Sequence, residues 1–401
     1  MKDVITDDKI IEEILTRSVE EILPTKDGLR ELLKSGKRIR VYIGTDATGT
    51  SLHLGHATNY MILEKLRKLG HEVIFLIGDF TSRIGDPTDK NESARKQLTR
   101  EQVIDNVKTW IDQIRPVIDI DNKENPVKIK YNHEWFSTFN LESLLSLASN
   151  FTVQQMLERD MFQQRLKMEK PLYLHELIYP LMQGYDSLIM DVDMEMCGMD
   201  QKFNALAGRT LLRKLKNKEK FVFITTLLEN PKTGEKMMSK SLGTGVFLDF
   251  DADKMFGSIM SQPDENMKQL FTDCTRLSIP EIGEILKAEN LRDAKIVLAS
   301  EIVGIYHGKD KAESAKDNFI KTFSEGGVPE DVTEVEAKEG TSLKELLTEN
   351  DLVKSASDFR RLIEERAISL DGEKITDPNY TVIKDGVIKV GKKRFLKVVI
   401  K

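Results

Sequence analysis

The sequence predicts an α/β protein in which a doubly wound parallel sheet, split by a helical insertion, is followed by an α-helical domain and a small α+β domain. Three observations predict this order. Short apolar runs ending in glycine alternate with helical patterns over residues 1–250. A helical pattern without strands covers 251–323, and residues 341–401 mix helices with short strands. A length of 401 residues suits two to three domains of about 100–200 residues each.

The N-terminal elements form a predicted strand–helix–strand unit. Residues 9–33 carry apolar side chains at a spacing of three to four and are predicted to be helical. A short strand, RIRVYIG, covers 38–44, and a helix follows over 54–69. Residues 71–78 contain VIFLIG, a continuous apolar run that is typical of a parallel strand covered on both faces.

A second strand–helix–strand unit follows an insertion. Residues 91–190 are predicted to be mostly helical. Val192, Met194 and Met196 alternate with acidic residues in a strand that ends at Gly198, a helix covers 202–215, and FVFITT at 221–226 is the next strand. In a doubly wound sheet the ligand site lies at the carboxyl ends of the strands.

The C-terminal part differs in charge from the rest of the chain. Residues 324–340 contain six acidic residues and one lysine, and this composition predicts a linker. The whole chain has 60 Lys and Arg against 66 Asp and Glu, a net charge of −6, which argues against indiscriminate polyanion binding. Residues 342–401, however, carry 13 basic against 10 acidic residues, a net charge of +3.

Several protein classes are excluded by composition. Two cysteines cannot supply a disulfide framework or a structural zinc site, so a reducing compartment is expected. The first 23 residues lack the apolar core of a signal peptide, and no run of about 18–20 apolar residues occurs, so a cytoplasmic protein with no membrane partner is predicted.

The first predicted strand leads into the motif HLGH. His53 and His56 lie three residues apart at a predicted helix N-terminus, with Gly55 between them, and such a place suits a phosphate and its developing charge. Each histidine alone could cap the helix or pack in the core, and the pair could be part of a metal site. No third ligand stands at a useful spacing, so no metal site is predicted.

A second motif, PKTGEKMMSKSLG at 231–243, combines lysines with hydroxyl groups. Such a loop could close over a triphosphate and stabilise a transition state. By itself it could equally be a solvated basic turn.

Together, HLGH and MMSKS resemble the HIGH and KMSKS signatures of class I aminoacyl-tRNA synthetases. The resemblance implies a Rossmann-type catalytic domain over 1–250, with an insertion at about 91–190 and a signature loop at about 231–245. It implies a helical anticodon-side domain over 251–323. His53, His56 and Lys240 would stabilise the α-phosphate and the departing pyrophosphate. Met237 departs from the KMSKS pattern and leaves Lys236 one position early.

Two further motifs resemble those of bacterial tyrosyl-tRNA synthetases. YPLMQGYD at 179–186 is similar to their YxxxQxxD helix, and GMDQ at 198–201 matches their GxDQ element. A spacing of four and three places the Tyr, Gln and Asp of the first motif on one helix face, where they could also pair locally. The resemblance assigns the following residues to tyrosine: Tyr42 and Asp186 to its phenol hydroxyl, Asp86, Tyr179 and Gln183 to its ammonium group, and Gln201 to its carboxylate.

The same resemblance implies ATP as a substrate, with Mg²⁺ held mainly by its phosphates. Thr48 would help to bind the γ-phosphate, and Asn59 and Asp200 would bind ribose. The further ATP contacts that it implies are Asp46, Gly55, Gly198, Met238, Ser239 and Ser241.

The basic C-terminal segment resembles a small RNA-binding module that a small-subunit ribosomal protein shares with bacterial tyrosyl-tRNA synthetases. Basic residues on a helix followed by a turn suit phosphate contacts with a structured RNA, although a solvated surface helix is the alternative. The residues expected to contact RNA are Lys354, Arg360, Arg361, Lys392, Lys393 and Arg394.

The resemblance covers nearly the whole chain and implies a tyrosine–tRNA ligase whose partners are tRNA(Tyr), L-tyrosine and ATP, and which forms a homodimer through residues 91–190. Three alternatives remain at this point: a tryptophanyl-tRNA synthetase, a non-catalytic RNA-binding protein on a synthetase scaffold, and a small-molecule nucleotidyltransferase.

Overall fold

A computed structural model describes residues 3–47, 49–85, 98–229, 245–288, 290–324, 332–350, 352–391 and 394–400. The chain divides into two compact units, Met1–Gly308 and Lys309–Lys401. The strands of the first unit are β1 (Val19–Leu23), β2 (Arg40–Thr45), β3 (Glu72–Ile77), β4 (Lys128–Tyr131), β5 (Met194–Gly198) and β6 (Phe221–Thr225). Its helices are α1 (Asp8–Thr16), α2 (Lys26–Lys34), α3 (Leu54–Lys68), α4 (Arg100–Ile114), α5 (His133–Phe136), α6 (Leu141–Ala148), α7 (Val153–Leu157), α8 (Asp160–Lys167), α9 (Leu174–Ile189), α10 (Lys202–Lys216), α11 (Ala252–Met260), α12 (Met267–Cys274), α13 (Ile279–Ile285) and α14 (Leu291–His307).

The first unit is built on a six-stranded sheet in the order β1-β6-β5-β2-β3-β4. Strands β6, β5, β2, β3 and β4 are parallel, and β1 pairs antiparallel with β6 at one edge. The chain moves outward from β2 through β3 to β4 and later from β5 to β6 on the other side. The order therefore reverses between β2 and β5, the place where such sheets bind ligands.

The sheet confirms the predicted doubly wound fold, and the local residue patterns explain its central strands. All side chains of β3 except Glu72 are buried, as the apolar run VIFLI requires of a strand covered on both faces. Helix α3 begins just after β2 and its connecting loop, with His53 at its N-cap. This connection brings HLGH to the carboxyl edge of the sheet.

One sequence prediction about this unit is wrong. Residues 9–33 do not form one helix: α1 ends at Thr16, and Val19–Leu23 pairs with Phe221–Thr225 instead. Ser18 between them has a φ of 59°, which a helix cannot continue through. The predicted helical insertion also contains strand β4, whose four residues were too short a run to recognise and which extends the sheet beyond β3.

The second unit combines three helices with short strands. Its helices are α15 (Lys309–Ser324), α16 (Leu343–Glu349) and α17 (Ala356–Glu364), and its strands are β7 (Glu334–Ala337), β8 (Thr341–Ser342), β9 (Ile368–Leu370), β10 (Glu373–Lys374), β11 (Thr381–Val382), β12 (Gly386–Val390) and β13 (Arg394–Ile400). Five strands form a sheet in the order β10-β9-β12-β13-β7, and β8 pairs with β11. Leu343, Phe359, Ile388 and Val398 are among the buried residues of its core.

The predicted acidic linker 324–340 contains β7, which pairs in parallel with β13. The acidic composition concealed this strand, because Glu334 and Glu336 point outward while Val335 packs against the core and Ala337 is buried in it. Helix α15, predicted within the helical domain 251–323, falls in the second compact unit. Among the described residues, no helix is long and apolar enough to cross a membrane.

Candidate functional site

A cavity of about 380 Å³ opens at the carboxyl edge of the sheet, around the place where strand order reverses. The cavity is lined by residues of β2 and β5, of the first two turns of α3, of the middle of α9 and of the segment between β5 and α10. Twelve of the predicted site residues lie on its wall: Tyr42, Asp46, His53, Gly55, His56, Asn59, Tyr179, Gln183, Asp186, Gly198, Asp200 and Gln201. Motifs separated by more than a hundred residues in the sequence therefore share one cavity.

The two histidines of HLGH form one side of the cavity. Their ring centroids are 3.8 Å apart, and the N–H of His53 donates to Nδ1 of His56 at 3.2 Å. Burial lowers the pKa of His56 to about 4, so its ring is neutral near pH 7. With Nδ1 accepting, the ring hydrogen is on Nε2, where it can be donated to a ligand.

The segment that follows the signature loop is attached beside these histidines. The N–H of Leu54 donates to the carbonyl oxygen of Val246 at 3.1 Å, and the N–H of Leu248 donates to that of Leu52 at 2.8 Å. A Cβ at position 55 would lie 3.1 Å from Nδ1 of His53, so glycine leaves this ring its space.

Asp46, a predicted ATP contact, is hydrogen-bonded to Tyr179, a predicted tyrosine contact. Its Oδ2 accepts from the hydroxyl of Tyr179 at 2.8 Å, and its Oδ1 accepts from Thr81 at 2.8 Å. A Cβ at Gly78 would lie 1.9 Å from Oδ1, so only glycine at this position allows Asp46 to adopt this conformation. The carboxylate is therefore fixed in orientation by the segment that follows β3 and by Tyr179 of α9.

Asp186 lies buried at the end of the cavity predicted to hold a phenol hydroxyl. Nε1 of Trp135 donates to its Oδ1 at 2.8 Å, and Asn132 donates to its Oδ2 at 3.4 Å. Burial raises the pKa of Asp186 well above its ordinary value, although these two hydrogen bonds oppose that rise. Burial also raises the pKa of Tyr42, so its phenol keeps its hydrogen.

Gln183 is held between two polar side chains. Its Nε2 donates to Oε1 of Glu195 at 2.8 Å, and its Oε1 accepts from Asn204 at 3.0 Å. Nδ2 of Asn204 also donates to Oε1 of Gln201 at 2.9 Å. The carboxylate of Glu195 thus fixes which end of the Gln183 amide is the oxygen, the atom that an ammonium group would approach.

The ribose contacts predicted for Asn59 and Asp200 lie on neighbouring parts of the wall. Thr225 of β6 donates its hydroxyl hydrogen to Oδ1 of Asn59 at 2.8 Å, which leaves the amide hydrogens for other partners. A Cβ at Gly198 would lie 2.7 Å from Oδ1 of Asp200, so glycine is needed beside that carboxylate.

Sequence reasoning missed several residues that orient this wall: Thr81, Asn132, Trp135, Ser187, Glu195, Asn204, Lys220 and Thr225. One signal existed for Glu195, an acidic residue in an otherwise apolar strand. Lys220 had none, because it follows a surface run rich in lysine.

Some predicted residues lie outside the described ones: Thr48, Asp86, Lys236, Met238, Ser239, Lys240, Ser241, Lys392 and Lys393. In the second unit, Lys354 and Arg360 are exposed. Arg361 pairs with Asp358 at 2.7 Å and Glu365 at 3.0 Å, and Arg394 donates to the carbonyl oxygen of Leu352. The guanidinium groups of Arg361 and Arg394 therefore already have partners within the second unit.

Two family models match the chain. Residues 34–324 match the model described as "tRNA synthetases class I (W and Y)", and residues 324–398 match "Tyrosine--tRNA ligase SYY-like C-terminal domain". Among curated relatives, the tyrosine--tRNA ligase of Shewanella oneidensis is 42% identical over 402 residues, with 98% of each chain covered. That of Idiomarina loihiensis is 41% identical over 393 residues, with 96% of each chain covered.

Solved structures have the same fold. A C-terminally truncated mitochondrial tyrosyl-tRNA synthetase of Aspergillus nidulans covers 78% of this chain and 94% of its own, at 23% identity and a TM-score of 0.64. The tyrosyl-tRNA synthetase of Archaeoglobus fulgidus complexed with L-tyrosine covers 77% of this chain and 99% of its own, at 20% identity and a TM-score of 0.58. At these identities the likeness concerns the fold.

Proposed function

The chain belongs to the class I tRNA synthetases of the tryptophan and tyrosine group, and we propose that it is a tyrosine–tRNA ligase. It activates L-tyrosine with ATP and transfers the tyrosyl group to tRNA(Tyr). The observation that carries the proposal is the shared cavity, where the HLGH histidines face the residues of YxxxQxxD and GxDQ. Curated relatives that match over nearly the whole chain support the choice of tyrosine.

The substrate has a chemically distinct contact for each of its groups. The phenol hydroxyl would lie between Tyr42 and Asp186, and the ammonium group would lie at the oxygen atoms of Gln183 and Tyr179. The carboxylate would face Gln201, close to the histidines. A buried hydroxyl and carboxylate arranged for a phenol would be left without a partner by phenylalanine, and this cost excludes it.

Activation requires orientation and charge stabilisation more than proton transfer. One carboxylate oxygen of tyrosine attacks the α-phosphorus of ATP in line, the bond from this phosphorus to the β-phosphate oxygen breaks, and tyrosyl-adenylate and pyrophosphate form. The Nε2–H of neutral His56 and the N-terminus of α3 would stabilise the negative charge on the phosphoryl oxygens. Lys240 would act from the signature loop. Mg²⁺ would accompany the ATP phosphates.

Transfer uses the same cavity. A ribose hydroxyl at the 3′ end of the tRNA attacks the carbonyl carbon of tyrosyl-adenylate, and AMP leaves with the bonding electrons. The hydroxyl proton passes to a phosphate oxygen or to water.

The test is single-turnover formation of tyrosyl-adenylate, followed by tyrosylation of tRNA, by the wild-type protein and His53→Ala. The wild-type protein is expected to do both. His53→Ala should slow adenylate formation about 10²-fold or more, as loss of a group that stabilises developing charge does, while the Kd for tRNA stays unchanged. An unaltered rate of adenylate formation would remove His53 from the proposed machinery.

We also propose that two copies of the chain associate through the insertion at about residues 91–190. Six large apolar side chains of this region are more than half exposed: Leu141, Leu145, Val153, Met168, Tyr173 and Leu174. Monomeric soluble proteins rarely leave so many apolar side chains in one region in contact with water. Sedimentation should therefore give a dimer for the wild-type protein and a monomer for Leu145→Asp/Leu174→Asp. A wild-type monomer would contradict the proposal.

A further inference from the structure

A lysine and a glutamate are completely buried behind the amino-acid end of the cavity. Lys220, immediately before β6, and Glu195, in β5, have exposed fractions of 0% and 1%. They form an ion pair, and a buried ion pair is rarely retained for stability alone, because desolvation offsets most of its attraction. The reason for this ion pair is therefore sought in the side chains that it keeps in position.

The ammonium group of Lys220 has three acceptors for its three hydrogens: Oε2 of Glu195, Oγ of Ser187 at 2.8 Å and the carbonyl oxygen of Ala205 at 3.0 Å. Ser187 must therefore accept from Lys220, because an ammonium group can only donate. The Ser187 hydroxyl also lies 2.8 Å from the phenol oxygen of Tyr42 and 3.3 Å from Oε2 of Glu195.

These distances favour Tyr42 over Glu195 as the acceptor of the single hydrogen of Ser187. An O–H···O hydrogen bond is strongest near 2.7–2.8 Å, which is the separation to Tyr42 and not that to Glu195. Oε2 of Glu195 already accepts from Lys220. When Ser187 donates to Tyr42, the hydrogen of Tyr42 is left for the cavity, which Asp186 lines as well.

We propose that Lys220, Glu195 and Ser187 are positioning residues that direct a chain of hydrogen bonds from the Lys220 ammonium group through Ser187 and Tyr42 to the substrate hydroxyl and on to Asp186. This inference rests on the proposed function. Each hydroxyl in the chain accepts one hydrogen and donates one, and the chain runs from a cation to a carboxyl group, so its members polarise one another. The hydroxyl of tyrosine completes the hydrogen-bond chain. Phenylalanine has no hydroxyl, so Tyr42 and Asp186 would not be connected when it binds.

The packing around the ammonium group is consistent with a fixed position. A Cβ at Gly208 of α10 would lie 2.6 Å from Nζ of Lys220 and 2.7 Å from Oγ of Ser187. Nζ also lies 5.8 Å from the centroid of the Tyr42 ring, which is within the range of a cation–π contact. Gly208, which has no side chain, therefore leaves the space that Lys220 and Ser187 occupy at the start of the hydrogen-bond chain.

The test compares kcat/KM for tyrosine and phenylalanine in ATP–pyrophosphate exchange. Ser187→Ala interrupts the hydrogen-bond chain and keeps both charged residues, although it removes one of the three acceptors of Lys220. Lys220→Met/Glu195→Gln removes the cation without leaving an unpaired buried charge, and Lys216→Met, at the exposed end of α10, is the matched control. The triple variant combines the first two changes. Thermal denaturation of each variant, and its KM for ATP, report any general loss of structure.

Ser187→Ala and the double variant are each expected to lower the tyrosine-to-phenylalanine ratio about five- to tenfold, the effect of one lost hydrogen bond. The change should lie in the KM for tyrosine, with the KM for ATP unaltered, and the triple variant should lose no more than either parent. A double variant that discriminates like the wild type, or losses that multiply in the triple variant, would overturn the proposal. Absence of tyrosine-dependent exchange in the wild-type protein would instead refute the proposed function.

Discussion

Replacement of Gly208 by alanine tests the packing beneath the cavity. In an unobstructed helix this change stabilises a protein by about 1 kcal/mol. At Gly208 the added methyl group would lie within 2.6–3.0 Å of Nζ of Lys220 and of Oγ and Cβ of Ser187. Nζ cannot move away without weakening its hydrogen bonds to Glu195 and Ala205. Overpacking of this kind costs about 1–3 kcal/mol.

Gly257→Ala is the matched control, because Gly257 lies inside α11 and a Cβ there has nothing within 4 Å. Gly208→Ala should be less stable than Gly257→Ala by about 1–3 kcal/mol, which corresponds to a difference in Tm of about 1.5–5 °C for a unit of this size. Differential scanning fluorimetry of the two variants and the wild-type protein measures it. Equal stabilisation of both variants, with the KM for tyrosine unchanged, would refute the reasoning about Lys220 and Ser187.

Three other predictions follow from the described contacts. Trp135→Phe removes the donor to Oδ1 of Asp186 and should raise the KM for tyrosine about tenfold in pyrophosphate exchange while leaving that for ATP unchanged; equal effects on both would contradict it. The folded pKa of His56, about 4, lies below its ordinary value of 6.5, so the unfolded chain binds this proton first and stability should decline as the pH falls from 6.5 towards 4. His56→Asn should make that decline in Tm shallower, and an identical pH profile would contradict the assignment. In filter-binding measurements of tRNA, Lys354→Ala and Arg360→Ala should each reduce the slope of log K against log salt by about 0.7–0.9, whereas Lys316→Ala, whose ammonium group pairs with Glu313, should leave it unchanged. A slope that none of the three changes would contradict the predicted RNA contacts.

Much of the fold could be predicted because the central strands have unambiguous patterns. The run VIFLI and the strand before HLGH are apolar, end near glycine and are followed by polar turns, and both form parallel strands. The edge strands could not be predicted in the same way. Val19–Leu23 continues an apparent helical spacing, and β4 has only four residues with lysine at alternate positions, so their pairing depends on neighbours that are distant in the sequence.

At the site, too, residues within a local motif could be predicted and residues that act through distant contacts could not. Residues with a motif, such as His53, His56, Gln183 and Asp186, were found because their spacing carries chemical information, and the cavity brings them together. The residues that orient them were not found. Trp135 and Lys220 act through contacts that span 51 and 33 residues, and an isolated tryptophan or lysine has no spacing from which such a contact could be inferred.

The most direct test of the central claim is ATP–pyrophosphate exchange by the wild-type protein with each of the twenty standard amino acids in turn. Tyrosine is expected to drive exchange, with phenylalanine and tryptophan far less effective, because in the proposed binding mode only tyrosine would place a hydroxyl group between Tyr42 and Asp186. Exchange that depends on tryptophan and ignores tyrosine would contradict the assignment of the substrate. Exchange with none of the twenty would contradict the assignment of the activity itself.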